Sequence, residues 1–157
     1  MNFQVDIQKA TVEPAPEEED IRRWISAALE NYPNDAELTV RIVDLDEMTN
    51  LNSNYRGKPG ATNVLSFSAD LPEEIELPLL GDIVVCAPVV VREATEQHKS
   101  EDAHWAHLIV HGTLHLLGYD HIEERDAQVM EALETSILAS LNYPCPYSVK
   151  SAVEHAH

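Results

Sequence analysis

Residues 100–117, Ser-Glu-Asp-Ala-His-Trp-Ala-His-Leu-Ile-Val-His-Gly-Thr-Leu-His-Leu-Leu, constrain the fold more than any other stretch of the chain. Ser100, followed by Glu101 and Asp102, reads as an N-cap with an acidic first turn. Gly118 supplies the stop, because helices commonly end on a glycine in the left-handed conformation. Between these signals Trp105, Ile109 and Leu116 fall on one flank and Ala106, Val110 and Leu117 on another. The helix is therefore apolar on nearly every side apart from its histidines, and such a helix must lie at the centre of the fold. A buried helix is also the rigid platform that a preorganised site requires.

His111 and His115 are four residues apart, so their imidazoles project from one helical face a turn apart. His121, three residues beyond Gly118, can swing back toward them. Three neutral imidazoles with a fourth position open make the ligand count of a catalytic zinc site rather than a closed structural one. Such a site lowers the pKa of a bound water to roughly 7. The pattern predicts a metal-activated hydrolase. Its spacing is also that of the metzincin proteases, whose glutamate after the first ligand serves as general base. Here that position is Gly112, so the metal holder is kept and the protease base is lost. A glycine inside a helix costs about 1 kcal/mol relative to alanine, which predicts a packing or access role for Gly112.

The segment His-Gly-Thr-Leu-His-Leu-Leu-Gly-Tyr-Asp-His at 111–121 resembles the YbeY family. So do Asn54-Tyr55-Arg56-Gly57-Lys58, Thr62-Asn63-Val64-Leu65-Ser66-Phe67 and Gly81-Asp82-Ile83, in the family's order and spacing over about residues 37–142. The resemblance implies a bacterial metal-dependent endoribonuclease of ribosomal RNA maturation, at the 3′ end of 16S rRNA, and of ribosome quality control. It implies one zinc ion per chain on His111, His115 and His121, with Arg56 in the active cleft as the catalytic and phosphate-contacting residue and Lys58 beside it. It also implies ribosomal RNA as substrate and a ribosomal protein or GTPase as partner, with no DNA and no membrane. One departure is visible: the family usually carries Asp where Asn63 stands.

A chain of 157 residues is expected to be a single domain able to bury a core without disulfides. Cys86 and Cys145 read as free thiols of a reducing cytoplasm. Neither a secretory signal nor an apolar run of membrane-spanning length is present, which predicts a soluble cytoplasmic protein. The net charge of −18 is unfavourable for RNA, since phosphate neutralisation supplies most non-specific affinity. The acid is grouped, however, at 17–20, 73–76, 101–102 and 123–124, where it reads as helix starts or exposed loops. Of the ten basic residues, Arg56 and Lys58 flank Gly57, which predicts a small positive cleft on an acidic body.

Period-two alternation predicts strands at Phe3, Val5 and Ile7, at 37–43 and at 63–68, with a fourth at 82–87. Helical spacing predicts helices over about 17–31, 46–55, 88–98, 100–117 and 123–141, the last with Val129, Met130, Leu133, Ile137, Leu138 and Leu141 as its apolar stripe. The expected class is α+β, a small mixed sheet of about four strands with about five helices and the histidine helix central. Prolines 144 and 146 suggest a frayed tail over 142–157.

His104 reads as a polar residue near the helix start and His98 as a helix-end residue. His107, one turn before His111, reads as a packed or solvated histidine, or as a group orienting a ligand. Asp120 either orients an imidazole or caps the next helix. Two rival readings remain: a protease or amide hydrolase using Glu123 or Asp120 as base, and a non-enzymatic ribosome-associated factor with a structural metal.

Overall fold

The computed structural model describes residues 2–69, 78–119 and 124–147. Strands β1 (Phe3–Ala10), β2 (Ala36–Val43), β3 (Val64–Ser68) and β4 (Leu79–Cys86) form one sheet in the order β1-β2-β4-β3. β1 and β4 both run parallel to β2, while β3 runs antiparallel to β4 along the edge. Five helices complete the fold: α1 (Glu18–Ala28), α2 (Leu45–Arg56), α3 (Ala87–Glu96), α4 (Glu101–Leu116) and α5 (Glu124–Ser140). The α+β class and the mixed sheet are as expected from the sequence.

The alternation of side chains along the central strands decides which helices cover which face. Leu38, Val40, Ile42, Ile83 and Val85 point into the main core with Ile21, Trp24 and Ile25 of α1, with Leu29 just past its end, and with the apolar residues of α4. Val84, Cys86 and Leu65 point the other way and meet Met48 and Leu51 of α2. Each large side chain withdrawn from water here contributes about 1.5–3 kcal/mol. Helix α4 is central as expected, since Trp105, Ala106, Leu108, Ile109, Val110, Leu114 and Leu116 are all buried. Beyond its first turn, only the stripe of His107, His111 and His115 remains partly open along the helix.

The ends of α4 follow the local chemistry. The Ser100 hydroxyl accepts from the Ala103 N–H at 3.1 Å, a cap worth about 1 kcal/mol. At the other end Gly118 has φ +102°. Its N–H reaches the His115 carbonyl at 3.0 Å and the Tyr119 N–H reaches the Leu114 carbonyl at 3.1 Å, the paired bonds of a Schellman stop. The helix therefore ends at Leu116, and the chain turns at Gly118, within one turn of His115.

Three expectations shift. β4 begins at Leu79 rather than at residue 82, because parallel pairing with β2 carries the strand through Gly81 by way of an irregular register. Val129 is half exposed and lies outside the buried stripe of α5. Residues 142–147 do not form a loose end: Tyr143 packs edge-on against Trp24 at 6.3 Å, and the Lys99 ammonium donates to the Pro146 carbonyl at 3.2 Å. The remainder of the expected tail lies outside the described residues. Cys86 lies in the core and Cys145 is half-buried.

Candidate metal centre

Helix α4 can carry its histidines on one rail because the opposite side fits closely against the sheet. Gly112 lies on that side. A Cβ there would meet Ile83 Cγ2 at 2.9 Å and Ser66 Oγ at 3.3 Å, so only glycine lets the helix approach β3 and β4 this closely. The Ser66 hydroxyl donates to the Gly112 carbonyl at 3.3 Å across that contact. The packing role expected of Gly112 is therefore observed.

On the open side, His111 Nε2 and His115 Nε2 lie 3.0 Å apart, with ring centroids 4.5 Å apart. Two nitrogens each 2.0–2.1 Å from one zinc ion at the tetrahedral angle would be about 3.3 Å apart, so a shift of a few tenths of an ångström seats an ion between these rings. The other nitrogen of His111, Nδ1, is 2.6 Å from Glu134 Oε2 on α5. A carboxylate at that nitrogen accepts the ring N–H, which fixes the tautomer and leaves the Nε2 lone pair directed at His115.

Glu134 is almost fully buried, its side chain 1% exposed. Such a carboxylate must be satisfied by donors. Its second oxygen, Oε1, receives His107 Nε2 at 2.9 Å and the Tyr147 hydroxyl. Burial by itself would push the Glu134 carboxyl up, but the hydrogen bonds from His107, His111 and Tyr147 outweigh it and hold the group at about 2. It is an anion under ordinary conditions. Burial lowers the His107 pKa, against the raising effect of its bond to Glu134. The same burial, reinforced by Glu134, pushes the Tyr147 hydroxyl up, so it stays a donor.

His107, His111 and Glu134 also offer ligand atoms within 4.8 Å of one another, a grouping that could itself hold a metal ion. The short N···O distances between them are those of direct hydrogen bonds with a charged acceptor, and these bonds already occupy both carboxylate oxygens. The His111–His115 side of the rail offers two imidazole nitrogens to one ion.

Among the residues expected from the sequence, His111 and His115 are brought together. His107 joins them through Glu134. His121 and Asp120 lie outside the described residues, as does Glu123. Arg56 is the last residue of α2, which packs on the sheet face opposite α4. Arg56 and Lys58 are exposed, and neither side chain makes a hydrogen bond or ion pair with the described residues. His104 lies near the start of α4 as its position suggested. It is 4% exposed and its Nε2 lies 2.9 Å from Glu93 Oε1. Asn63 donates to that same Glu93 oxygen at 3.0 Å, so its side chain is engaged with α3. His98 does end its helix, just past α3, with φ +56°. Glu134 was missed. Its signal was a glutamate four residues from both Met130 and Leu138, on the buried line of an amphipathic helix.

A buried helix presenting paired imidazole nitrogens, one of them oriented by a buried carboxylate, has the donor chemistry of a metal-dependent hydrolase. The chain belongs to the Endoribonuclease YbeY family, whose model matches residues 3–142. It is 57% identical over 154 residues to the Endoribonuclease YbeY of Cellvibrio japonicus, covering 97% of this chain and 87% of that one. It is 54% identical over 150 residues to the Endoribonuclease YbeY of Stutzerimonas stutzeri, covering 95% and 94% of the two chains. A Thermotoga maritima protein solved in solution shares the fold, with a TM-score of 0.60 and 22% identity over 88% of this chain and 92% of that one.

Proposed function

We propose that the chain is a zinc-dependent endoribonuclease that cuts ribosomal RNA during maturation of the 16S 3′ end and in ribosome quality control. On this reading it works in the cytoplasm, on the ribosome, with a ribosomal protein or GTPase partner. The observation that carries the reading is the approach of His111 Nε2 to His115 Nε2 at 3.0 Å on a buried, capped helix, with Glu134 fixing the tautomer of the first ring. His121 supplies the third nitrogen. Bound there, zinc would polarise a phosphoryl oxygen or make hydroxide available at neutral pH.

The chain's own cations set the substrate. Arg22, Arg23, Arg41 and Arg92 are each paired with a nearby carboxylate, so much of the small positive charge is locally neutralised. Arg56 and Lys58 are exposed at the end of α2. β3 connects the two faces at this edge, since Phe67 meets Tyr55 of α2 on one side while Ser66 meets Gly112 of α4 on the other. An RNA strand laid across the β3 edge would meet Arg56 and Lys58 on one side and the histidine pair on the other. A guanidinium fork suits phosphate oxygens, and at a scissile phosphate it would stabilise developing charge. With a net charge of −18, the chain would bind RNA weakly alone, which favours delivery by a partner. No helix among the described residues is long and apolar enough to cross a membrane.

The protease alternative needs a carboxylate beside the open metal position. Glu134 lies on the Nδ1 side of His111, turned away from the Nε2 pair, and cannot serve as that base. The test joins metal analysis to cleavage of a structured ribosomal RNA fragment. Arg56→Glu should lower cleavage at least ~100-fold with metal content unchanged. Unchanged cleavage would remove Arg56 from the mechanism.

A further inference from the structure

We infer that Tyr147, on the segment that follows the last helix, is a positioning residue for the metal centre, acting through Glu134 on His111. The inference rests on the metal reading above and adds a residue that neither the histidine motif nor its spacing indicates.

Three observations support it. First, the Tyr147 hydroxyl donates to Glu134 Oε1, the oxygen that also receives His107 Nε2 at 2.9 Å. Both oxygens of this buried carboxylate thus have donors, and Oε2 is left to a single partner, His111 Nδ1, at 2.6 Å. Second, the Tyr147 ring stands edge-on to the His107 ring, 5.5 Å between centroids at 86°, so the hydroxyl and His107 are fixed relative to each other. Third, the segment that carries Tyr147 is itself anchored. Lys99, between α3 and α4, donates to the Pro146 carbonyl at 3.2 Å, and Cys145 sits 3.6 Å from the Thr135 hydroxyl, one residue from Glu134 on α5.

The physical consequence is rotational. A carboxylate held only by imidazoles can turn about its last torsion and exchange oxygens. With one oxygen pinned by both a phenol and a second imidazole, the plane of the carboxylate is set, and so is the direction of the His111 N–H that meets it. The His111 ring then holds its Nε2 toward His115. Groups that orient a ligating histidine in this way typically change metal affinity by 10–100-fold when removed. The C-terminal segment is thus coupled to a metal site on α4.

The experiment measures zinc affinity of the full chain by competition with a chromophoric chelator. It compares the wild type with Tyr147→Phe, Glu134→Gln and His115→Ala, and melting of each metal-free protein is followed alongside. Imidazole 15N spectra of the metal-free proteins report the His111 tautomer. Tyr147→Phe should weaken zinc binding about 10-fold and mix the His111 tautomers, and Glu134→Gln should weaken it further. Affinities within twofold of wild type for Tyr147→Phe, with only a lower melting temperature, would overturn the inference and leave the metal reading standing. Loss of zinc in Glu134→Gln as complete as in His115→Ala would put Glu134 in the coordination sphere and also overturn it. If the wild type takes up no zinc, the metal reading fails and the inference with it. Should Glu134→Gln not fold, Tyr147→Phe alone carries the decision, because it deletes only a hydroxyl.

Discussion

On helix α4, His104 and His111 each pair with a glutamate, seven residues apart, and the two pairs are built for opposite ends. In the first half Glu93 takes the outer nitrogen of His104, Nε2, at 2.9 Å. His104 Nδ1 is then left buried with no hydrogen-bond partner among the described residues, and its lone pair is closed off from any ligand arriving from solvent. In the second half Glu134 takes the inner nitrogen of His111, Nδ1, at 2.6 Å, and the outer nitrogen faces His115. The residue types are the same. Which ring nitrogen the carboxylate occupies decides whether the histidine is a structural strut or an available ligand.

Exchanging the two halves by mutation gives the largest expected contrast. His111→Ala should reduce metal affinity and RNA cleavage by well over 100-fold, because a direct ligand must outweigh the 10–100-fold of an orienting group. His104→Ala should leave metal affinity of the folded protein within a few-fold of wild type. Its cost is in stability, about 1–3 kcal/mol, for the donor lost to Glu93 and Asn63's shared acceptor site and for the space left behind. Equal losses of metal binding in both variants, measured by chelator competition, would erase the distinction.

A smaller effect should follow at Gly112, between His111 and His115. Gly112→Ala puts a methyl 2.9 Å from Ile83 Cγ2. Overpacking of this kind costs about 1–3 kcal/mol, offset in part by the ~1 kcal/mol that alanine gains in helix propensity. Denaturant unfolding should show a net loss, and the second half of α4 should lift from β3, weakening metal binding as well. Unfolding at the wild-type midpoint would mean that the sheet yields there.

The gentlest probe is acid. Burial lowers the folded-state pKa of His107 from 6.5, so the unfolded chain takes up a proton that the folded chain refuses. Stability from this source is complete above about 6.5 and falls below it. Glu134 is held at about 2, below its ordinary 4.5, so its contribution is present above 4.5 and is lost as the pH falls toward 2. Both slopes have the same sign. The unfolding midpoint of the metal-free protein should therefore decline from pH 7 downward, more shallowly below pH 4.5 in Tyr147→Phe, which removes one of the bonds that hold Glu134 ionised. A midpoint rising on acidification would contradict the assignment.

Much of this arrangement is legible before any coordinates. The cap at Ser100, the stop at Gly118 and the apolar flanks of α4 are local signals, each set by neighbours within one turn, and the His111–His115 pair follows from helical spacing. Glu134 is different. It is one of 28 acidic residues; its place on the buried line of α5 hints at burial, but only the docking of α5 on α4 shows that it meets two imidazoles. The burial of His104 is hidden for the same reason: it depends on Glu93 of α3, which lies across it, and not on its position in α4. The ordered stretch 142–147 contains two prolines that read as loosening, yet the backbone there is held by Lys99 and Tyr147, contacts that span long sequence separations. The relation of Arg56 to the histidines depends on which face of the sheet each helix covers, and no spacing rule encodes that.

The most direct test of the account is X-ray absorption on the zinc-loaded chain. It predicts about one zinc ion per chain, with nitrogen scatterers at about 2.0–2.1 Å, an imidazole multiple-scattering pattern for three histidines, and one further light-atom ligand from exchangeable solvent. A shell dominated by carboxylate oxygen, or a pattern fitted by His107 and Glu134 with only one other imidazole, would contradict it.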